Sequence, residues 1–85
     1  MLTIKILGSG CANCKRLEQI TKQALETLNV EATLVKVTDY AKIMEYPILA
    51  TPGLVINEKL VSAGRVPSPT EVTTLITNAL AEQSA

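Results

Sequence analysis

The segment Leu2-Thr3-Ile4-Lys5-Ile6-Leu7 alternates like a half-buried strand and stops at Gly8-Ser9-Gly10. A helical pattern starts at once. Leu17, Ile20, Ala24, Leu25 and Leu28 recur near every 3.6 residues, and Lys15, Arg16, Glu18, Lys22 and Glu26 cover the opposite face. A strand that feeds a helix across a short glycine-rich turn is the opening of a βα unit. A second strand, predicted over residues 31–37, then completes a right-handed crossover and a parallel pair. Both cysteines of the chain, Cys11 and Cys14, sit at the strand-to-helix junction.

The rest of the chain extends this plan. Asn29 suits a helix stop, because Asn tolerates the left-handed conformation. Thr38 or Asp39 caps a short helix that reaches about Met44, and Tyr46 before Pro47 ends it. Leu54-Val55-Ile56 and Lys59 to Gly64 flank Asn57-Glu58, which predicts a β-hairpin whose turn type the pair does not fix. Ser68-Pro69-Thr70-Glu71 is a capping box with proline at the first helical position. Val72, Leu75, Ile76, Ala79 and Leu80 form the apolar face of that last helix, with fraying expected after about Ala81. The order is β-α-β-α-β-β-α: an α/β fold with a four-stranded mixed sheet flanked by three helices. One domain spans residues 1–85, its core about 1–81.

With 85 residues the chain buries roughly 60–65% of its extended surface. It contains no Phe or Trp and only two Tyr, so Leu, Ile, Val and Ala must build the core. Met44 reads as core filler, while Tyr40 and Tyr46 read as residues at the core edge with wet hydroxyls or as walls of a substrate groove. Eight basic and eight acidic residues cancel, which gives no footprint for nucleic acid or an anionic membrane. No apolar run approaches the roughly 20 residues of a membrane span, and Met1 to Lys5 does not resemble a signal peptide. The expectation is a cytoplasmic protein in a reducing compartment, where a close cysteine pair is catalytic or metal-binding more often than a permanent staple.

Cys11 at the head of a helix meets free backbone N–H groups and the positive end of the helix dipole, and Lys15 and Arg16 add positive charge. Such cysteines have pKa values of roughly 3.5–7.5, against about 8.5 for a free thiol. The thiolate is the nucleophile of disulfide exchange, so Cys11 is the attacker. Cys14, one helical turn on, is the resolving thiol. Two other uses of the pair stay open. The cysteines serve as small packing residues, or their thiolates hold a soft metal such as Cu(I) or a metalloid. A closed tetrahedral zinc site needs two further ligands, and the chain offers neither His nor a third Cys.

The sequence resembles the thioredoxin-like fold, and more narrowly the small archaeal and bacterial redox-active disulfide proteins, which are glutaredoxin-like in size. Their recurring G-x-G-C-x-x-C, P-G-L-x-[IV] and G-R-V segments match Gly8 to Cys14, Pro52 to Ile56 and Gly64-Arg65-Val66. The resemblance implies a cis peptide bond between Thr51 and Pro52, with that loop beside the cysteines and pairing with a substrate strand. It implies a protein thiol or disulfide as substrate, an upstream reductase that recharges the pair, and neither cofactor nor bound metal. A monomer is the expected state. Arg65 is read as touching a partner or the start of the third helix, or as a solvated surface charge. The chain departs from full-length thioredoxins in having Gly10 where they carry Trp, and Ala12-Asn13 between the cysteines. Its first strand holds no acidic residue, so the proton acceptor for Cys14 is open between water and Glu18.

Overall fold

The computed structural model describes residues 2–8, 12–48 and 50–84. The elements run β1 (Leu2–Leu7), α1 (Ala12–Leu28), β2 (Ala32–Val37), α2 (Tyr40–Ile43), β3 (Gly53–Ile56), β4 (Lys59–Ala63) and α3 (Pro69–Ser84). The four strands form one mixed sheet in the order β2-β1-β3-β4. β1 and β2 are parallel, with Leu2 opposite Ala32 and Leu7 opposite Val37, as a right-handed crossover through α1 demands. β3 runs antiparallel to both β1 and β4.

The alternation of β1 sorts its side chains between two cores. Leu2, Ile4 and Ile6 pack with Leu17 and Ala24 of α1, Leu54 and Ile56 of β3, and Val72 and Ile76 of α3. On the opposite face Leu7 joins Val55, Ile43 and Ile48. The sheet is therefore flanked by α1 and α3 on one side and by short α2 on the other, and β3 is buried along its whole length. The buried members of both clusters are all aliphatic, as a chain without Phe or Trp requires.

Local chemistry explains where the elements stop. Asn29 adopts φ 54°, the Asn29 amide donates to the Glu26 carbonyl (3.1 Å), and the Val30 amide donates to the Leu25 carbonyl (3.0 Å). These bonds make a Schellman ending for α1. Asp39 is the cap of α2, its carboxylate accepting from the Ala41 amide at 2.9 Å. Asn57 and Glu58 both have positive φ, 50° and 68°, the left-handed pair of a type I′ turn. The Asn57 side chain accepts from the Thr3 amide (3.0 Å) and its own amide donates to the Thr3 carbonyl (2.8 Å), so the turn is fastened to β1. Glu58 in turn receives the Lys5 ammonium at 2.6 Å and the Tyr46 hydroxyl at 3.1 Å.

At the start of α3 the Glu71 amide donates to the Ser68 hydroxyl at 3.2 Å, which is one half of a capping box. The Glu71 carboxylate does not turn back to Ser68; it forms a two-pronged ion pair with Arg65. Arg65 thus touches the start of the third helix. α3 continues to Ser84, three residues beyond Ala81.

Met44 corrects the sequence reading. It is half exposed, at 51%, and not core filler. α2 is a single turn of four residues, so one side chain faces the sheet, and Ile43 takes that place at 5% exposure. Tyr46 sits at the core edge beside Leu7, Ile43, Ile48 and Val55, whereas Tyr40 stands 73% exposed.

Candidate active site

The site forms where β1 ends. Gly8 has φ +148°, a region open to glycine and strained for residues with a Cβ, and its amide donates to the Val37 carbonyl at 3.0 Å. That bond ties the exit of β1 to the exit of β2. Cys14 lies in the first turn of α1, only 6% exposed, and is disulfide-bonded rather than a free thiol. Cys11, like Ser9 and Gly10, lies outside the described residues.

Gly8 also shows how closely two distant segments meet. A Cβ placed there would lie 2.5 Å from the Cys14 sulfur and 3.6 Å from the Thr51 Cβ. The Thr51 loop is therefore a neighbour of Cys14, although 37 positions separate the two in sequence. The Thr51–Pro52 peptide bond is cis, as the family resemblance implies. Pro52 is fully buried and its carbonyl accepts from the Gly64 amide at 2.9 Å, while Thr51 is exposed. A groove of about 380 Å³ opens beside Thr51, walled by Thr38, Tyr40, Ile43, Met44, Ile48 and Ala50. The exposed Tyr40 and Met44 thus find a place on this wall.

Lys15 and Arg16 part company on leaving α1. Lys15 borders a small cavity of about 110 Å³ beneath Cys14, which Glu18, Lys36, Thr38, Ile6 and Gly8 also line. Arg16 borders a different, open groove on the other side, with Asn13, Ile20, Arg65 and Pro67. Among the described residues neither cation forms an ion pair. Glu18 is held by Lys36 at 3.5 Å and Lys22 at 3.8 Å. The sequence reading did not single out Lys36. Its signal was the register: Lys36 pairs with Ile6, so it shares the sheet face on which α1 lies.

A second charged cluster lies on the other face of β1. The hydrogen bond from Lys5, followed by that from Tyr46, holds the Glu58 carboxyl below the usual carboxylate range, and the bonds Lys5 donates to Glu58 and to the Tyr46 oxygen raise Lys5 above its usual value. Arg65 likewise lowers Glu71 by hydrogen bonding and charge. Among the described residues no group of three or more His, Cys, Asp or Glu could hold a metal ion. No described helix is long and apolar enough to cross a membrane.

Comparison with known proteins agrees with this geometry. A family model described as thioredoxin domain matches residues 2–77. A thioredoxin of Methanocaldococcus jannaschii is 38% identical over 72 residues, covering 85% of this chain and 83% of that protein. A thioredoxin of Methanothermobacter thermautotrophicus is also 38% identical over 72 residues, covering 85% and 94%. Among solved structures, chloroplastic thioredoxin z superposes with a TM-score of 0.71 at 16% identity, over 95% of this chain and 80% of its own. A mutant thioredoxin from Halobacterium salinarum gives 0.66 at 20% identity, over 92% and 74%. These two share the fold. The sheet, the helix-borne disulfide at Cys14, the neighbouring cis proline and the match along most of the chain converge on one conclusion: the protein belongs to the thioredoxin family.

Proposed function

We propose that the protein exchanges dithiol for disulfide with a protein partner through Cys11 and Cys14. The observation that carries this reading is the disulfide-bonded, buried Cys14 in the first turn of α1, next to the cis Thr51–Pro52 bond. In the reduced protein the Cys11 thiolate attacks the partner's disulfide and expels one partner sulfur as a thiolate. Cys14 then attacks Cys11 in the mixed disulfide, and the second partner sulfur leaves. The partner is reduced by two electrons and the cysteine pair is oxidised by two. An upstream reductase restores the dithiol.

Cys11 directly precedes α1 in the sequence, so the positive end of the helix dipole would favour its thiolate, with Lys15 and Arg16 adding charge. Thr51 and Pro52 position the partner's strand, since the exposed Thr51 lies beside Cys14 at the mouth of the groove. In this reading the protein works as a cytoplasmic monomer.

The test is trapping combined with potentiometry. C14S should accumulate a mixed disulfide with partner proteins, and C11S should not. The wild-type pair should titrate as a reversible two-electron couple between roughly −200 and −300 mV. Equal trapping by both variants overturns the assigned order of attack. A pair that forms no reversible disulfide, yet binds Cu(I) tightly, overturns the exchange reading in favour of a soft-metal carrier.

A further inference from the structure

Resolution of the mixed disulfide requires Cys14 to lose a proton while buried, and β1 carries no carboxylate to take it. We propose that Glu18 is the proton acceptor for Cys14, a role that presupposes the exchange reaction above. Cys14 and Glu18 are four residues apart on α1, which puts them on one side of the helix one turn apart. Both line the same cavity of about 110 Å³ between α1 and the ends of β1 and β2, and that volume admits water. The Glu18 side chain is mostly withdrawn from solvent, at 17% exposure. Lys36 of β2 at 3.5 Å and Lys22 of α1 at 3.8 Å hold its carboxylate from two sides. Lys15 also faces the cavity; β1 and its exit contribute only Ile6 and Gly8, and Thr38 contributes a hydroxyl. Glu18 is thus the one carboxylate among the described residues that line the cavity under Cys14.

The Cys14 S–H bond breaks and its proton passes to the Glu18 carboxylate, through water in the cavity. The Cys14 sulfur bonds to the Cys11 sulfur, the bond from Cys11 to the partner breaks, and the electron pair leaves on the partner sulfur, which takes a proton from solvent. Glu18 then returns its proton to bulk water. The basic residues around it fix the carboxylate in place, and the cavity keeps the transfer short.

Stopped-flow reaction of the reduced protein with Ellman's reagent separates the two steps. The first equivalent of coloured thiolate reports attack by Cys11 and the second reports attack by Cys14. In E18Q the first release should keep its wild-type rate. The second should slow by about 10-fold or more below about pH 8, within the usual scale of general base catalysis, and approach wild type above about pH 9, where a thiol ionises unaided. E18D, which keeps the carboxylate, should recover part of the rate. An unchanged second release in E18Q overturns the assignment. So does slowing by one constant factor at every pH, which marks a purely structural effect. If the wild-type product, by mass spectrometry, carries bound thionitrobenzoate in place of an intramolecular disulfide, the exchange reading itself falls, and Glu18's role with it.

Discussion

Replacing Gly8 by alanine tests the closest approach in the site. At φ +148° an alanine pays backbone strain of about 1–3 kcal/mol. Its methyl would also fall 2.5 Å from the Cys14 sulfur, with the Cys14 Cβ at 3.7 Å and the Thr51 Cβ at 3.6 Å. Cys14 is buried and bridged, so the sulfur has little room to yield. Overpacking of this kind adds about 1–3 kcal/mol, for a sum of about 2–6 kcal/mol. A domain of this size has roughly 4–13 kcal/mol of stability in all, and each kcal/mol moves its melting midpoint by about 4–8 °C. G8A in the oxidised state should therefore melt at least ~8 °C below wild type. Reduction frees the sulfur to turn away, so the reduced form should lose less. Each ~1.4 kcal/mol of that difference raises the midpoint potential by about 30 mV. Gly64 supplies the control: it has φ +77°, but among the described residues a Cβ there meets only Ala50, at 3.4 Å. G64A carries the backbone cost of about 1–2 kcal/mol without the collision. Melting of both variants by circular dichroism, oxidised and reduced, decides the matter. If G8A is no less stable than G64A, the inferred collision with Cys14 is wrong.

Acid should weaken the protein partly through Glu58 and Glu71. Both carboxyls are held low in the folded state, so their stabilisation is complete above their ordinary value near 4.5 and is lost as pH falls through the lower folded values. Urea midpoints should drop below about pH 4.5, and E58Q should flatten that drop. If E58Q titrates like wild type, the contact with Lys5 contributes nothing. On α2, I43A should cost about 2–4 kcal/mol, whereas M44K should stay within about 0.5 kcal/mol of wild type in thermal melts. Similar losses in both would mean that the short helix presents a different side chain to the sheet.

Features that depend on near neighbours in sequence were legible from the sequence. The alternation of Leu2 to Leu7, the helical spacing from Leu17 to Leu28, the stop at Asn29 and the Ser68-Pro69 start all reappear, because the forces behind them act within a few residues. Features set by tertiary partners were not. Nothing local distinguishes Ile43 from Met44 until a one-turn helix is laid on the sheet. The type I′ turn at Asn57-Glu58 lacks the usual glycine because Thr3, Lys5 and Tyr46 hold both of its residues. Glu71 completes only half of its box because Arg65 competes for it. At the site, the cysteine spacing marked the junction, and only family resemblance pointed to the cis bond at Pro52. The cavity shared by Cys14, Glu18 and Lys36 required the register of β1 on β2.

The two halves of the site belong to different parts of the chain and are joined by the seam between β1 and β3. That seam is antiparallel and long-range, with Leu7 opposite Gly53 at its end nearest the disulfide. Gly53 fits there because a Cβ would come within 2.5 Å of Ile48 and 3.3 Å of Leu7. In the proposed mechanism, reactivity resides on the N-terminal side of the seam and partner choice on the C-terminal side. A chain that loosens along it would keep its thiols and lose its discrimination. In that mechanism selectivity would be a property of the intact sheet, so a substitution that weakens the seam and spares the cysteine pair should cost partner discrimination before it costs thiol reactivity.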